Sequence, residues 1–239
     1  MSWFQRLREA PVTVALIAVN LIVFIAMVVM SQRVVAFDSD VLVRAGAMYF
    51  NPGAPAASPW RWLTAAFIHV NLLHILMNMW VLGQIGIISE RALGRGVFAV
   101  SYIVTGMLGN VVSGTLAAAR GTQLVSAGAS GAIMGLIGMA AAFAWLSGQR
   151  RIARALAINI LFVLGVGLSL SFSGRALVDN AAHVGGLIAG VGLGAARFRM
   201  PRPLPAWLDR GLIVWVLLLA ALAFTVVALG GAAVDLNVA

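Results

Sequence analysis

Few residues in this sequence can do chemistry, and those that can lie near the starts of long apolar segments. Ser130 stands among small residues, between Ala129 and Gly131, where one apolar segment begins. His183 lies close to the start of another. Serine is a poor nucleophile until a base takes its proton, and histidine is the usual base. Ser130 and His183 are therefore candidates for nucleophilic catalysis if the fold brings them together.

The composition indicates a protein with several membrane-spanning segments. Of the 239 residues, 62% are hydrophobic and only 10% are charged, whereas a soluble domain carries about 25% charged residues. The absence of cysteine excludes a disulfide, a thiol nucleophile and a thiolate metal site. All 16 basic residues are arginine and they lie between apolar segments. The positive charge therefore indicates membrane topology and not nucleic-acid binding.

Seven segments reach or approach the ~20 apolar residues that span a bilayer. They run at about 11–30, 63–86, 97–118, 127–147, 152–172, 178–196 and 211–230. The predicted fold is all-α, with a six-helix bundle at 11–196 and an additional seventh transmembrane helix. A cytoplasmic N-terminus at 1–10 precedes the bundle, a cytoplasmic linker at 197–210 follows it, and the seventh helix with a short outer tail occupies 211–239. Since Thr225 is the only polar residue of the last span, we expect that helix to be peripheral.

The distribution of arginine predicts which ends of the helices face the cytoplasm. Eleven of the 16 arginines fall in the N-terminus and in alternate connections, and five fall in the other set. Arginine-rich connections remain in the cytoplasm, so we expect the N-terminus inside and the C-terminus outside. Basic residues that are all arginine are typical of a GC-rich bacterial genome, which favours the inner membrane of a bacterium.

The longest connection, 31–62, lies outside in this arrangement. It is weakly polar and ends in Trp60-Arg61-Trp62. Tryptophan favours the membrane interface, so we expect part of this loop to be embedded in the outer leaflet.

The histidines and Ser130 fall at a common depth. The second, fourth and sixth spans all run from outside to inside. His69 and His74 lie near the start of the second, Ser130 near the start of the fourth and His183 near the start of the sixth. Helix N-termini carry partial positive charge and unpaired N–H groups. The outer half of the membrane therefore has the residues and the dipoles that a developing anion requires.

Two strips of glycine predict that the fourth and sixth spans approach each other. Gly128, Gly131 and Gly135 lie on the fourth, and Gly186, Gly190 and Gly194 lie on the sixth. Small residues at this spacing let helix backbones come close. Such an approach could bring Ser130 Oγ within hydrogen-bond reach of the His183 ring. The same strips are also what helix packing without catalysis would use.

His74 and Asn78 are four residues apart and share one helix face. Both side chains can donate a hydrogen bond to an oxyanion, as can the backbone N–H of Ser130. They could equally tie two helices together. His69 is rotated away from this face, which indicates a supporting role.

Neither acidic residue near these spans is well placed to orient His183. Asp179 lies one turn before it on the same segment, and Glu90 lies at the opposite end of the second span. The sequence therefore predicts a Ser–His dyad without the usual third carboxylate. Three histidines could bind zinc, but His69 and His74 do not share a face and no glutamate lies between them. We expect no metal and no cofactor.

The motifs, in this order, resemble those of the rhomboid intramembrane serine proteases. They are Trp60-Arg61, His69-x4-His74-x3-Asn78, Glu90-Arg91, Gly128-Ala129-Ser130-Gly131 and Ala182-His183-x2-Gly186-x3-Gly190. The resemblance covers about 45–196. The extra C-terminal helix is similar to the six-plus-one arrangement found in part of that family.

The resemblance implies a role for each motif residue. Ser130 would be the nucleophile and His183 the general base. His74 and Asn78 would line the oxyanion hole together with the Ser130 amide. The family uses no metal or cofactor.

Further implications concern packing. Trp60 and Arg61 would belong to the partly embedded outer loop, and Gly186 and Gly190 would pack against the fourth helix. One departure is Met134, which stands where family members often have an aromatic residue that stacks on the catalytic histidine. A thioether can contact the ring but orients it less firmly.

The resemblance also implies the class of substrate. The family cuts membrane-anchored proteins in or near a transmembrane helix, with helix-weakening residues nearby. Lateral entry would involve the fifth span and the loops 31–62 and 173–178. The alternative function is a non-catalytic rhomboid-like protein that binds membrane helices, of chaperone or dislocation type. A transporter fits less well, because the inner halves of the spans are mostly apolar.

Overall fold

The computed structural model describes residues 9–52, 58–172, 178–200 and 204–228. These residues form nine α-helices, one 3₁₀ turn and a two-stranded sheet. Most of the predicted N-terminus and outer tail, the loop at 173–177 and short parts of the outer loop and the linker lie outside the described residues.

Six of these helices are long and apolar enough to cross a membrane. They are α1 (Pro11–Ser31), α4 (Leu72–Leu93), α5 (Arg95–Arg120), α7 (Arg150–Phe172), α8 (Asn180–Arg199) and α9 (Ala206–Val226). A seventh apolar helix, α6 (Ser130–Leu146), is shorter. The predicted all-α fold of an integral membrane protein, with its additional last helix, is confirmed.

The second span begins later than predicted, at Leu72 and not at residue 63. Asn71 fixes this start, because its side chain accepts the backbone N–H of His74 at 2.7 Å, as an N-cap residue does. His69 therefore lies in the turn before the helix and not within it.

The predicted linker at 197–210 is also too long. Helix α8 continues to Arg199, and α9 begins at Ala206 directly after Pro205. Asp209 lies in the first turn of α9, where a negative charge stabilises a helix. Polar residues that the sequence suggested were solvated therefore belong to helix ends.

The outer loop contains regular structure. It includes α2 (Ser39–Ala45), β1 (Met48–Phe50), α3 (Arg61–Thr64) and the 3₁₀ turn Ala65–Phe67. β1 pairs antiparallel with β2 (Leu124–Ser126), with Met48 opposite Ser126. Strands of this length show no alternating pattern that could be recognised in the sequence. The pairing joins the outer loop to the segment that leads into α6.

Arg61 holds this loop together. Its guanidinium is fully buried and donates from Nη1 to the carbonyls of Val43 at 2.7 Å and Ala47 at 2.9 Å. The same group stacks on the ring of Trp60, with Cζ 4.3 Å from the ring centroid. A buried charge is tolerated when it is hydrogen-bonded in this way. Trp60 and Arg61 thus stabilise the loop from inside.

Helix α6 lies at the centre of the bundle. Every residue from Gly131 to Met139 is buried, and the helix contacts α4, α5, α7 and α8. A helix that is apolar on all sides is typical of such a central position. The serine at its first residue is therefore carried by a helix whose first half is fully enclosed.

Helices α6 and α8 meet backbone to backbone. A Cβ on Gly186 would overlap the carbonyl oxygen of Gly131, and a Cβ on Gly190 would overlap that of Gly135. Only glycine allows this approach, since any side chain would push the helices apart. The contact begins at the residue after Ser130.

Helix α9 packs on α5 and α3. Near one end, Asp209 Oδ1 accepts the N–H of Gly96 at 2.7 Å and so caps α5. Near the other end, the ring of Phe224 meets Phe67 edge to face at 5.7 Å. Most other side chains of α9 are exposed or half-buried, so the helix is peripheral but attached near both ends.

Candidate active site

A short segment between β2 and α6 leads to Ser130. Gly128 has a φ of 142°, a backbone region that favours glycine. Its N–H donates to the carbonyl of Ala65 at 2.9 Å, which ties the segment to the outer loop. Ser130 is the first residue of α6 and is half-buried. Its hydroxyl thus stands at the entrance of a buried helix.

Gly128 also leaves room for the ring of His74. A Cβ at this position would lie 2.6 Å from His74 Cε1, 3.0 Å from His74 Nε2 and 3.7 Å from Ser130 Oγ. The imidazole and the serine hydroxyl therefore border the same small space. The buried Nδ1 of His74 has no hydrogen-bond partner among the described residues.

No side chain caps the N-terminus of α6, where Ala129 occupies the N-cap position. The first N–H groups of a helix lack intrahelical partners and carry partial positive charge. The backbone N–H of Ser130 is one of these groups. It can therefore donate to an anion that forms beside the hydroxyl.

His183 lies in the first turn of α8 and is only 5% exposed. The neighbouring Ala182 carbonyl lies 3.3 Å from the position that a Cβ on Gly131 would take, directly after Ser130. The two helices thus meet at the level of both residues. Within the described chain, Ser130 and His183 share no hydrogen bond, and Nδ1 of His183 has no partner. Catalytic hydrogen bonds are often long without substrate and tighten when it binds.

Asn78 and His69 surround His74 in different ways. Asn78 is 6% exposed and donates from Nδ2 to the carbonyl of His74 at 2.9 Å. No hydrogen bond joins it to Ser130 in the part of the chain that the structure describes. His69 is fully buried, and its ring meets that of His74 edge to face at 5.2 Å. His69 therefore packs directly against the candidate oxyanion residue.

Glu90 lies near the opposite end of α4 from His74 and contacts a different part of the chain. Its carboxylate accepts the backbone N–H of Val12 at 3.1 Å and that of Thr13 at 2.8 Å, and the Thr13 hydroxyl at 2.8 Å. It caps α1, whose own N-cap residue Ala10 makes no side-chain hydrogen bond.

Asp179 does not hydrogen-bond the His183 ring either. It accepts the hydroxyls of Ser113 and Ser126 and the backbone N–H of Ala182. Among the described residues no cluster of three His, Cys, Asp or Glu side chains could hold a metal ion.

Met134 lies one turn after Ser130 and is 2% exposed. It belongs to the main apolar core of the bundle. The thioether is thus well enclosed by its neighbours.

Two residues that hold the site gave no sequence signal. The hydroxyl of Tyr102 donates to the Ala66 carbonyl at 3.2 Å, and Asn110 Nδ2 donates to the Trp62 carbonyl at 2.8 Å. Both fix the segment before His69 on α5, and nothing in the sequence shows which face of α5 they occupy. By contrast, the caps Asn71 and Asp179 follow the ordinary N-cap pattern at the start of an apolar segment and could have been found.

The bundle and its site define the class of the protein. It is an integral membrane protein of helical-bundle type, in which a serine at the start of a central helix adjoins a histidine-bearing helix. The chain belongs to the rhomboid family, because the Rhomboid domain matches residues 56–200, more than half of its length.

Several curated proteins are similar to this chain. Rhomboid protease GluP of Bacillus subtilis (strain 168) is 33% identical over 143 residues, which cover 60% of this chain and 27% of that protein. Rhomboid-like protease 2 of Toxoplasma gondii is 32% identical over 196 residues, or 80% of this chain and 62% of that protein. The mitochondrial RHOMBOID-like protein 6 of Arabidopsis thaliana is 28% identical over 168 residues, which cover 69% of this chain and 52% of that protein. The chain thus spans less than two thirds of the length of each of these relatives.

Proposed function

We propose that the chain is an intramembrane serine endopeptidase that cuts transmembrane segments of membrane-anchored proteins. The observation that carries the proposal is the meeting of three elements at one place. Gly128 leaves room for the ring of His74 beside Ser130. Gly131, the residue after Ser130, lets the turn of α8 that bears His183 pack close to the serine. Names of the relatives from Bacillus subtilis and Toxoplasma gondii include the word protease, which supports the same reaction.

In the proposed reaction Ser130 Oγ attacks the substrate carbonyl while His183 takes the hydroxyl proton. His183 then returns that proton to the leaving amine, and water releases the acyl group in a second step. The negative oxygen of the tetrahedral intermediate would accept hydrogen bonds from the Ser130 N–H and from His74. Asn78 would donate its second amide hydrogen, since only one is used on the His74 carbonyl.

The substrate class that we propose depends on the proposed position of the site within the membrane. A helix in lipid satisfies all of its backbone groups internally, so its carbonyls are not open to attack. A transmembrane segment with helix-weakening residues forms a less stable helix, so unwinding it costs less free energy. We therefore propose substrates with such a segment and no role for nucleic acid.

The location that we propose is the inner membrane of a bacterium, with the N-terminus in the cytoplasm and the site in the outer half of the bilayer. The arginine distribution supports this orientation. The aromatic residues of the outer loop support its partial embedding in the outer leaflet.

The test uses purified protein in liposomes with a membrane-anchored substrate and a serine-reactive fluorophosphonate. We expect the native chain to cleave the substrate and to be labelled on Ser130. Ser130→Ala should lose both, with unchanged thermal unfolding. Ser147→Ala, at the other end of α6, is the matched control and should keep both.

Two results would oppose the proposal. Equal cleavage by Ser130→Ala would place the reaction elsewhere. A native chain that retains the substrate without turnover, and a Ser130→Ala variant that retains it equally, would identify the non-catalytic helix-binding alternative.

A further inference from the structure

The carboxylate of Asp179 connects three separate elements beside the proposed dyad. Oδ2 accepts the hydroxyl of Ser113 on α5 and the hydroxyl of Ser126 on β2, each at 2.5 Å. Oδ1 accepts the backbone N–H of Ala182 in α8 at 2.9 Å. Ser113 and Ser126 are 3% and 7% exposed. All three donors thus converge on one side chain in a largely enclosed place.

The positions of these donors in the chain relate them to the reacting groups. Ala182 directly precedes His183, and Asp179 is the N-cap residue of the helix that carries both. Ser126 is the last residue of β2, from which the chain runs through Gly128 to Ser130. Asp179 therefore holds the start of the histidine helix to the end of the strand before the serine.

We propose that Asp179 is a positioning residue, whose carboxylate sets the separation of Ser130 and His183 by joining the start of α8 to the end of β2. The dyad belongs to the proposed function, so this inference rests on it. Asp179 does not serve as the third member of a triad, because it acts through the backbone of α8 and the side chain of Ser126 and not on the imidazole.

An aspartate carboxylate suits this position better than the amide of asparagine or the hydroxyl of serine does. An ionised aspartate only accepts hydrogen bonds and can take all three at once, whereas the amide of asparagine has a single acceptor oxygen. Asparagine and serine both cap helices well, so either can replace the contact with the Ala182 N–H. The serine side chain is too short to reach both hydroxyls as well. Asp179→Ser therefore keeps the helix cap and removes the connection to β2.

The expected effect is on catalysis and not on binding. Misplacing reacting groups by about 1 Å can lower a rate about a hundredfold. Among the described residues, the Asp179 carboxylate is engaged by Ser113, Ser126 and the Ala182 N–H, so we do not expect it to hold the rest of a substrate helix. We therefore expect a lower kcat with little change in KM.

The experiment measures turnover per titrated serine in liposomes. A fluorophosphonate counts the reactive Ser130 groups, and kcat and KM are then measured with a membrane-anchored substrate. We expect Asp179→Ser to lower kcat per titrated site about tenfold and Asp179→Asn to lower it less, with KM within about twofold. Ser126→Ala should lower kcat as well, and the double variant with Asp179→Ser should be no worse than Asp179→Ser alone, because both remove the same contact.

Asp209→Ser is the matched control. Asp209 also accepts a helix N-terminal N–H, that of Gly96, but it lies near the start of α5 and α9, away from the dyad. Its replacement should change thermal stability at most, with turnover per titrated site unchanged. If Asp179→Ser yields no titratable protein, Asp179→Asn and Ser126→Ala decide the question.

The outcomes separate this inference from the proposed function. A native chain that neither reacts with the fluorophosphonate nor cleaves overturns both. An active native chain whose Asp179 and Ser126 variants keep full turnover per titrated site overturns the positioning role alone, and Asp179 is then a structural cap like Asp209.

Discussion

Helices α7 and α8 both lie against α6, but they are attached to it by different contacts. α8 meets α6 through glycine backbones at Gly186 and Gly190. The end of α8 near Arg199 is also fixed, because Arg197 Nε donates to the carbonyl of Leu93 at 2.8 Å. α7 has only 11% of its span buried, and Ala153 and Gly167 are the buried residues between Arg150 and Ser169. α7 is thus held at few points and α8 along its length.

This difference matters because the bilayer changes what holds helices together. Lipid is as apolar as leucine, so an apolar face gives no reason for two helices to associate, whereas close backbone packing and hydrogen bonds do. Large side chains of α7 such as Leu161 and Phe162 are about 70% exposed and face the lipid without cost. We therefore expect the well-held pair α6 and α8 to keep Ser130 and His183 in register, and α7 to be the helix that moves aside for the proposed substrate.

The largest expected effect comes from separating α6 and α8. Gly186→Ala places a Cβ against the carbonyl oxygen of Gly131, so one backbone must shift. We expect a loss of about a hundredfold in fluorophosphonate labelling rate and in substrate cleavage, because the shift separates Ser130 from His183. Both rates are measured with the protein in liposomes.

Gly192→Ala on the same helix is the control, because a Cβ there has nothing within 4 Å. It should retain activity. Full activity of Gly186→Ala would mean that the backbone contact does not set the geometry of the site.

The second prediction restrains α7. A Cβ on Gly167 would lie 3.0 Å from Cγ of Asn180, so the two positions are in direct contact. We expect the pair Gly167→Cys and Asn180→Cys to form a disulfide there. The native chain has no cysteine, so this pair is unambiguous. We expect the oxidised form to cleave a transmembrane substrate about tenfold more slowly than the reduced form.

Labelling by the small fluorophosphonate distinguishes entry from chemistry. It should differ by less than about twofold between the oxidised and reduced forms, because the reagent needs no displaced helix. Equal cleavage in both forms would show that this end of α7 need not move.

The sequence could predict the helices and their order because length and apolar content decide what spans a membrane. The glycine strips likewise indicated that the helices carrying Ser130 and His183 approach each other, since only small residues permit it. The apolar stretch from residue 63 continues past Asn71, so apolar content alone predicts a start of α4 that is too early. That start depends on one side-chain hydrogen bond, from the His74 N–H to Asn71.

The contacts that hold the outer loop could not be predicted. Tyr102 and Asn110 donate to carbonyls of the segment before His69, and the face of α5 that they occupy depends on how the whole bundle packs. The strand pair at Met48 and Ser126 is too short to leave a periodic pattern. Such contacts are long-range in sequence, and a single sequence carries no record of them.

The smallest effect should come from a change in α9. This helix tests whether the mobility of a helix depends on its specific contacts with the bundle or on the fraction of its span that is buried. Its span is 11% buried, the same as that of α7, yet Phe224 contacts Phe67 and Asp209 caps α5. Phe224→Ala removes an aromatic pair worth about 0.5–1.5 kcal/mol, so we expect a lower thermal unfolding temperature and cleavage within about threefold of native.

Leu222→Ala, at a 63% exposed position of the same helix, is the control and should leave both the unfolding temperature and cleavage unchanged. A loss of cleavage in Phe224→Ala comparable to that of Gly186→Ala would mean that α9 belongs with α8 and not with α7, and that the site depends on the Phe67 side of the outer loop as much as on the contact between α6 and α8.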